Sequence, residues 1–109
     1  MSYKILAIPP FDKQLKRLAK KYASLKKEYA GLIASLEKDP EQGTPIGKNC
    51  FKIRLAIASK GKGKSGGARI MTNFVVSHHT VFLLSIYDKS EKENISDKEL
   101  QDLLKFVPK

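Results

Sequence analysis

The second half of the chain contains three stretches with the composition and period of β-strands, at 51–57, 70–76 and 81–87. β-Branched and aromatic residues predominate in them, and in the first of them apolar residues occupy every second position. Successive side chains of a strand point to opposite faces, so this period gives a sheet one apolar face and one more polar face. The apolar face has to be covered, and this requirement restricts the fold more than any other feature of the sequence.

The covering layer is predicted from two amphipathic helices that precede these strands. Apolar residues recur at helical spacing over 11–22 and again over 25–36, which places one apolar stripe on each segment. Ser24 can cap the second helix, and Asp39-Pro40 ends it because helical geometry is disfavoured before proline. The two stripes predict a helical hairpin that lies with its apolar edge on the sheet.

The remaining segments complete a single domain. A short strand is expected at 3–8 and a loop at 41–49. Ser96 and Glu99 have the spacing of a capping box, which opens a short C-terminal helix. The resulting order, β-α-α-β-β-β-α, predicts one α+β domain over residues 1–109 with helices covering one face of a small, mainly antiparallel sheet.

Charge is unevenly distributed along the chain. The sequence has 21 Lys or Arg and 11 Asp or Glu, a formal net charge of +10. Residues 1–69 hold sixteen of the cations and five of the anions and so carry +11, whereas residues 70–109 carry −1. Such asymmetry favours a surface for nucleic acid or an acidic partner. No apolar run approaches the ~18 residues of a membrane span, and a single Cys50 without a signal peptide predicts a reducing cytoplasm.

The segment 60–69, with the sequence KGKGKSGGAR, contains four cations and four glycines and no acidic residue. Glycine between lysines lets the backbone approach a phosphate, so the segment is predicted to meet a polyanion. A solvated, flexible basic loop is the alternative. A phosphate-binding P-loop is excluded because Ala58 stands where its first glycine belongs and a strand follows instead of a helix.

Counting by twos along the strands places three polar side chains on one sheet face, namely Arg54, Arg69 and Tyr87. On the last strand the core face is assigned to Phe82, Leu84 and Ile86. The basic segment joins two of these strands at the edge of the polar face. Because the helices cover the other face, the polar face is expected to be uncovered and to be the working surface.

Guanidinium, phenol and ammonium groups without clustered carboxylates or cysteines predict a site that uses no metal and no cofactor. Metal-free cleavage of RNA requires the ribose 2′-hydroxyl to attack the adjacent phosphate, cations to stabilise the transition state, and a proton donor for the leaving 5′ oxygen. Arginine binds phosphoryl oxygens bidentately, and a lysine crowded by cations can act as base or acid. The residue types fit a ribonuclease, and they fit an RNA-binding platform nearly as well.

Other polar residues carry weaker arguments. His78 and His79 are expected at the turn between the last two strands, at the far end from Tyr87, with an incidental role. Cys50 has no histidine nearby in the sequence, which predicts an unreactive thiol. Charged helix faces are usually only solvated, and contact with RNA phosphates is the alternative for Lys16, Lys20, Lys27, Lys52 and Lys89.

Three segments resemble the RelE/HigB family of type II toxin–antitoxin toxins, in particular its HigB-like branch with a glycine-lysine loop. They are KIRLA at 52–56, SKGKGKSGGARI at 59–70 and IYDKSE at 86–91, and the resemblance spans nearly the whole chain. It implies a microbial-RNase-like fold and ribosome-dependent cleavage of messenger RNA in the A site. It also implies a cognate antitoxin, typically with a helix-turn-helix domain, through which alone operator DNA is bound.

The resemblance also implies catalytic positions, which fall on Arg54, Lys60, Lys62, Lys64, Arg69 and Tyr87. Some relatives have a histidine as general acid after the last strand, whereas 88–94 contains none, so the proton donor is open among the three lysines and the tyrosine. Two alternatives remain: a ParE-like toxin that poisons gyrase, and a non-catalytic RNA-binding module. The second is disfavoured because the polar face has few aromatic residues on which bases could stack.

Overall fold

The structure, a computed structural model, describes residues 3–61, 66–92 and 94–108. This part of the chain forms five strands, three helices and two short 3₁₀ turns, Ala58–Lys60 and Val76–His78. In chain order the elements are β1 Lys4–Ala7, α1 Pro9–Lys21, α2 Leu25–Lys38, β2 Thr44–Gly47, β3 Cys50–Leu55, β4 Ala68–Val75, β5 Thr80–Asp88 and α3 Asp97–Leu104. The predicted α+β class and order of elements are confirmed, with one strand added.

All five strands join one mixed sheet in the order β1-β5-β4-β3-β2. β1 runs parallel to β5, and each of the other neighbouring pairs is antiparallel. The buried strands β4 and β5 lie inside the sheet, while β1 and β2 form its edges. The first strand of the chain thus pairs with the last one at one edge of the sheet.

The added strand, β2, lies in the segment predicted as a loop, and the prediction is wrong for Thr44–Gly47. Its sequence TPIG contains a proline and a glycine, which are poor strand formers, so no period marks it as a strand. β2 is an edge strand paired with β3, and an edge strand tolerates proline because one of its sides needs no ladder hydrogen bonds. The pairing with β3, rather than local preference, makes this segment a strand.

α1 and α2 cover one face of the sheet. Their buried residues are Phe11, Leu18, Leu25, Leu32 and Leu36. Leu32 of α2 lines the same cleft as Ile53 of β3. Ile53 lies in register with Ile70 and Ile86 across β3, β4 and β5, so this row of isoleucines marks the core face.

α3 lies on the opposite face. Its residue Leu100 lines a cavity together with Lys52 of β3 and Met71 of β4. Lys52 precedes Ile53, and consecutive strand residues point to opposite faces, so the sheet separates α3 from α1 and α2. The prediction that the helices cover one face of the sheet is therefore correct for α1 and α2, whereas the C-terminal helix covers part of the other face.

A β-bulge at Leu84 interrupts the alternation predicted for β5. On its C-terminal side Tyr87 keeps the predicted face. On its N-terminal side Leu83 pairs with Thr72 of the core face, so Phe82 lies on the opposite face. The assignment of Phe82 to the core face is wrong, because one inserted residue exchanges the two faces of a strand.

Gly67 lies where a side chain would meet the backbone of β3, since a Cβ atom there would stand 2.1 Å from the carbonyl oxygen of Leu55. We expect Gly67→Ala to lower the free energy of unfolding by about 1–3 kcal/mol, because the backbone has to shift. The matched change is Gly31→Ala in α2, where nothing lies within 4 Å, and it should stabilise by about 0.5–1 kcal/mol. Urea denaturation measures both effects, and a Gly67→Ala protein as stable as the parent would contradict the close approach.

Candidate functional site

Arg54, Arg69 and Tyr87 stand directly opposite one another on three neighbouring strands. The register pairs Arg54 of β3 with Arg69 of β4, and Arg69 with Tyr87 of β5. Side chains at such paired positions point to the same face, and neighbouring strands lie only about 4.8 Å apart. The grouping predicted from alternation is confirmed, and we call these three residues the polar row.

Most of the polar row is covered. Arg54 is exposed, but Arg69 is only 3% exposed and Tyr87 only 5%. The chain after β5 folds back over this end of the sheet, and the ammonium of Lys92 lies 6.0 Å from the centre of the Tyr87 ring. Lys92 also forms an ion pair with Glu99 of α3. The expectation of an open face is wrong for two of the three residues, because strand period does not reveal what packs on a face.

Burial sets the protonation state of the Tyr87 phenol. It raises the pKa of Tyr87; the neighbouring Arg69 guanidinium lowers that pKa, Glu99 raises it, and the net shift is upward. Among the described residues the Tyr87 hydroxyl has no hydrogen-bond partner. A protonated phenol beside a guanidinium can donate a hydrogen bond or a proton to an oxygen that enters the polar row.

The two arginines of the row have different surroundings. Arg69 Nη1 donates to the carbonyl oxygen of Ala68 at 3.1 Å, which orients the buried guanidinium. Arg54 is exposed and borders a cleft that is also lined by Gln42, Gly43, Thr44 and Lys52. Planar guanidiniums on adjacent strands can bind the non-bridging oxygens of a phosphate bidentately, so the row suits a phosphodiester.

Lys60 does not join the polar row. Its ammonium forms an ion pair with Asp88 Oδ1 and donates to Ser90 Oγ at 3.2 Å, and its side chain is 9% exposed. Asp88 follows Tyr87 in β5, so its carboxylate points to the other face of the sheet. There the hydroxyl of Tyr22, just after α1, donates to Asp88 Oδ2 at 2.5 Å. The Lys60 side chain is therefore turned away from the polar row.

The other cations predicted to act on RNA are distributed over several surfaces. Lys62 and Lys64 lie outside the described residues. The remaining five are the exposed helix residues Lys16, Lys20 and Lys27 and the half-buried Lys52 and Lys89. Their roles in binding stay predictions, but the exposed lysines of α1 and α2 give the helical layer a positive surface.

Sequence reasoning missed Asp88, a fully buried carboxylate on which Lys60, Tyr22 and Ser90 converge. Burial raises the pKa of the Asp88 carboxyl, but hydrogen bonds from Lys60, Tyr22 and Ser90 outweigh burial and hold that pKa well below its usual range. Asp88 is therefore an anion at neutral pH. The sequence contains a signal for it, since an acidic residue ends an apolar strand at a position whose period turns it to the core face.

Residues given incidental roles occupy the expected places. His78 and His79 are exposed at the turn between β4 and β5, at the opposite end of these strands from Tyr87. Cys50 is buried, and burial raises the pKa of its thiol. Over the described ranges, no group of three or more His, Cys, Asp or Glu side chains could hold a metal ion. Nor is any helix described there long and apolar enough to cross a membrane.

Solved bacterial toxins have the same fold. The isolated E. coli RelE toxin matches with a TM-score of 0.63 and 14% identity over 97% of this chain and 100% of that chain. A double mutant of E. coli RelE in the free state matches with a TM-score of 0.63 and 16% identity over 99% and 100%. A chain of the Mycobacterium tuberculosis RelBE2 toxin–antitoxin complex matches with a TM-score of 0.59 and 16% identity over 81% and 92%. At these identities the likeness is one of fold.

A family model extends the likeness from fold to sequence. The model described as the RelE toxin of the RelE/RelB toxin–antitoxin system matches residues 11–108. Fold and sequence together place the chain among the toxins of toxin–antitoxin systems. It belongs to the RelE toxin family. The resemblance inferred from the sequence motifs is confirmed at this level, and its HigB-like branch stays a prediction.

The surroundings of Tyr87 predict its titration. We expect the phenol to ionise above the ordinary tyrosine pKa of about 10, because burial disfavours the phenolate. Replacing Arg69 by Met should raise this pKa further, since a cation that stabilises the phenolate is lost, and Glu99→Gln should lower it. NMR titration of the tyrosine ring carbons measures these shifts, with Tyr87→Phe to assign the signal. A parent Tyr87 that ionises at an ordinary or lower pH would contradict the buried phenol.

Proposed function

We propose that the protein is a ribosome-dependent endoribonuclease that cleaves messenger RNA in the A site. The observation that carries the proposal is the polar row, in which two guanidiniums and a protonated phenol stand in register, with Arg69 as the last residue of the basic segment 60–69. These groups are cations and hydrogen-bond donors suited to a phosphodiester. Membership of the RelE toxin family supports the same reading.

The proposed reaction is metal-free. The ribose 2′ oxygen attacks the adjacent phosphorus and the bond from phosphorus to the 5′ oxygen breaks, which leaves a 2′,3′-cyclic phosphate and a 5′-hydroxyl. Arg54 and Arg69 bind the phosphoryl oxygens, whose negative charge grows in the transition state. Tyr87 gives a proton to the leaving 5′ oxygen, and a lysine of the basic segment takes the proton of the 2′-hydroxyl. The candidates for this base are Lys60, Lys62 and Lys64, of which Lys60 is paired with Asp88.

Contact between Tyr87 and RNA requires the cover over its ring to open. This cover includes the Lys92–Glu99 ion pair, whose side chains are 38% and 46% exposed. A surface ion pair of this kind is worth about 0–1 kcal/mol, so binding at the ribosome can displace it at small cost. The incoming RNA would then supply the hydrogen-bond partner that the Tyr87 hydroxyl lacks among the described residues.

Dependence on the ribosome follows from the composition of the polar row. The row contains no histidine and no pair of carboxylates, the groups with which a self-sufficient metal-free ribonuclease moves protons. The exposed lysines of α1 and α2 are suited to contacts with phosphates of ribosomal RNA. The proposal therefore requires that the isolated protein barely cleaves naked RNA, and rapid cleavage of free RNA would contradict it.

Tyr87→Phe separates catalysis from folding and binding. The change removes a hydroxyl that no described residue bonds, so the free energy of unfolding should not fall. We expect single-turnover cleavage on a programmed ribosome to fall by roughly 10²-fold, the cost of losing one preorganised donor or acid, while ribosome affinity stays unchanged. Arg69→Lys should act in the same direction because an ammonium does not bind phosphate bidentately. A Tyr87→Phe protein that cleaves as fast as the parent would remove the phenol from the mechanism.

The matched control is Lys20→Ala on α1, where the side chain is exposed. It should weaken ribosome binding and reduce the slope of affinity against salt by about one phosphate contact, with little effect on cleavage of the bound complex. Salt-titrated binding beside the cleavage assay separates the two effects. If Tyr87→Phe and Arg69→Lys lose activity only through weaker binding, the non-catalytic RNA-binding alternative is favoured.

The proposal includes a cognate antitoxin as partner. The M. tuberculosis neighbour was solved in a toxin–antitoxin complex, and a mutant E. coli RelE was solved in complex with an antitoxin peptide. We propose that an antitoxin with a helix-turn-helix domain binds this protein, and that operator DNA is reached only through it. A net charge of +10 favours an acidic segment in that partner.

Coexpression with the neighbouring gene tests the partner. We expect a stable complex on size exclusion and loss of ribosome-dependent cleavage in that complex, because the antitoxin blocks access to the ribosome. The free toxin at the same concentration is the control. A toxin that inhibits growth but forms no complex with the product of the neighbouring gene would contradict the two-component proposal.

A further inference from the structure

A buried ion pair connects the basic segment to the strand that carries Tyr87. The side chain of Asp88 is 0% exposed and that of Lys60 is 9% exposed, and the Lys60 ammonium bonds to Asp88 Oδ1. Tyr22 donates to Oδ2 at 2.5 Å, and Ser90 donates to Oδ1 from its backbone nitrogen at 2.9 Å and its hydroxyl at 2.8 Å. We call these four residues the Asp88 cluster.

The Asp88 cluster joins three separate parts of the fold. Lys60 is the last residue of the 3₁₀ turn and the first of the basic segment, Tyr22 follows α1, and Ser90 lies in the turn after β5. A second contact holds the same 3₁₀ turn from α2, where Glu28 Oε2 accepts a hydrogen bond from the backbone nitrogen of Ala58 at 2.5 Å. The 3₁₀ turn at the start of the basic segment is therefore held by contacts from both the Asp88 cluster and α2.

The cluster lies directly behind the polar row. Asp88 follows Tyr87 in β5, and it pairs with Ala68, which precedes Arg69 in β4. Adjacent strand residues point to opposite faces of the sheet. The end of β5 therefore carries Tyr87 on the face of the polar row and the buried Asp88 carboxylate on the other face. A shift of the paired ends of β4 and β5 would move Arg69 and Tyr87 together.

We propose that Lys60 and Asp88 are positioning residues, which hold the 3₁₀ turn in a fixed relation to the ends of the strands that carry Arg69 and Tyr87, and that Lys60 does not contact RNA. Of the three candidates for the base, this leaves Lys62 and Lys64. The inference rests on the proposed function for the role of the row. Lys60 could reach a phosphate only by leaving Asp88. The buried carboxylate would then keep only Lys21 as a cation, at 3.7 Å from Oδ2 and with a side chain 49% exposed, and the loss of its buried cation is strongly unfavourable. The pair thus acts on cleavage through Arg69 and Tyr87.

Neutral replacements of the two partners test the proposal. Lys60→Met leaves the Asp88 anion with only the half-exposed Lys21, Asp88→Asn leaves a buried cation, and the double variant Lys60→Met/Asp88→Asn removes both charges of the buried pair. The matched control is Lys105→Met/Asp102→Asn, an ion pair at the end of α3 whose side chains are 76% and 56% exposed. Because this ion pair is exposed, the control shows whether the loss of an ion pair in general, rather than of the buried Lys60–Asp88 pair, lowers cleavage.

Each single variant should lower single-turnover cleavage on the ribosome by about 10²-fold, the effect expected when reacting groups are misplaced by about 1 Å. Ribosome affinity should stay within about twofold of the parent, and the double variant should recover cleavage to within about tenfold of it with an unchanged pH–rate profile. The control variants should cleave like the parent. A double variant as inactive as Lys60→Met, or an Asp88→Asn protein with full activity, would overturn the proposal and give Lys60 a direct role.

Hydrogen exchange tests the positioning role without any cleavage assay. Tyr22→Phe removes one donor to Asp88 and keeps the ring, so it serves where the charge variants fold poorly. In Tyr22→Phe and Asp88→Asn, the amides of Gly61 and Lys92, which bond to the carbonyl oxygens of Ile57 and Asp88, should exchange about tenfold faster than in the parent. Unchanged exchange would overturn the positioning role even in an active ribonuclease. Faster exchange in the variants, together with a parent protein that does not cleave RNA, would reject the proposed function and support the positioning role of Lys60 and Asp88.

Discussion

The antiparallel pairing of β4 with β5 is the interaction on which the rest of the structure depends. Both strands are almost wholly buried, and through them β1 on one side and β3 on the other join a single sheet. The same pairing aligns Arg69 with Tyr87 and includes the bulge at Leu84, which decides which side chains of β5 face the helices. Because a slip of one residue exchanges the faces of a strand, one register determines both the core and the polar row.

The cations of this strongly basic chain differ in their exposure to solvent: most lysines of the helices are exposed, whereas the side chain of Lys60 is only 9% exposed. The lysines of α1 and α2 are exposed to solvent, and of these Lys21 also lies 3.7 Å from Asp88 Oδ2. The Lys60 side chain is largely buried because it pairs with the fully buried Asp88. Such a pair is stable only when further donors bond to the carboxylate, as Tyr22 and Ser90 do. On the opposite face Arg54 is exposed, whereas the Lys92–Glu99 ion pair lies over Tyr87. The same end of β5 therefore has a firmly held carboxylate on one face and a tyrosine under an easily opened cover on the other.

Much of the fold can be predicted from the sequence, because burying one side of an element leaves a repeating pattern. Period marks β3, β4, α1 and α2, and the capping box that opens α3 is a local exchange of hydrogen bonds between Ser96 and Glu99. β2 leaves no pattern, since its proline and glycine are strand-like only when paired with β3. The bulge leaves none either, because the inserted Leu84 simply extends the apolar run of residues 81–83.

The sequence by itself determined that Arg54, Arg69 and Tyr87 share one face, since alternation is a property of the extended backbone and needs no knowledge of distant contacts. It also determined the basic surface and the likeness to RelE toxins. Tertiary structure decided which of these groups meet solvent, because α3 and the chain before it cover Tyr87, and Asp88 removes Lys60 from the surface. Exposure of a polar side chain depends on segments far away in the chain, and no local period records what will pack against it.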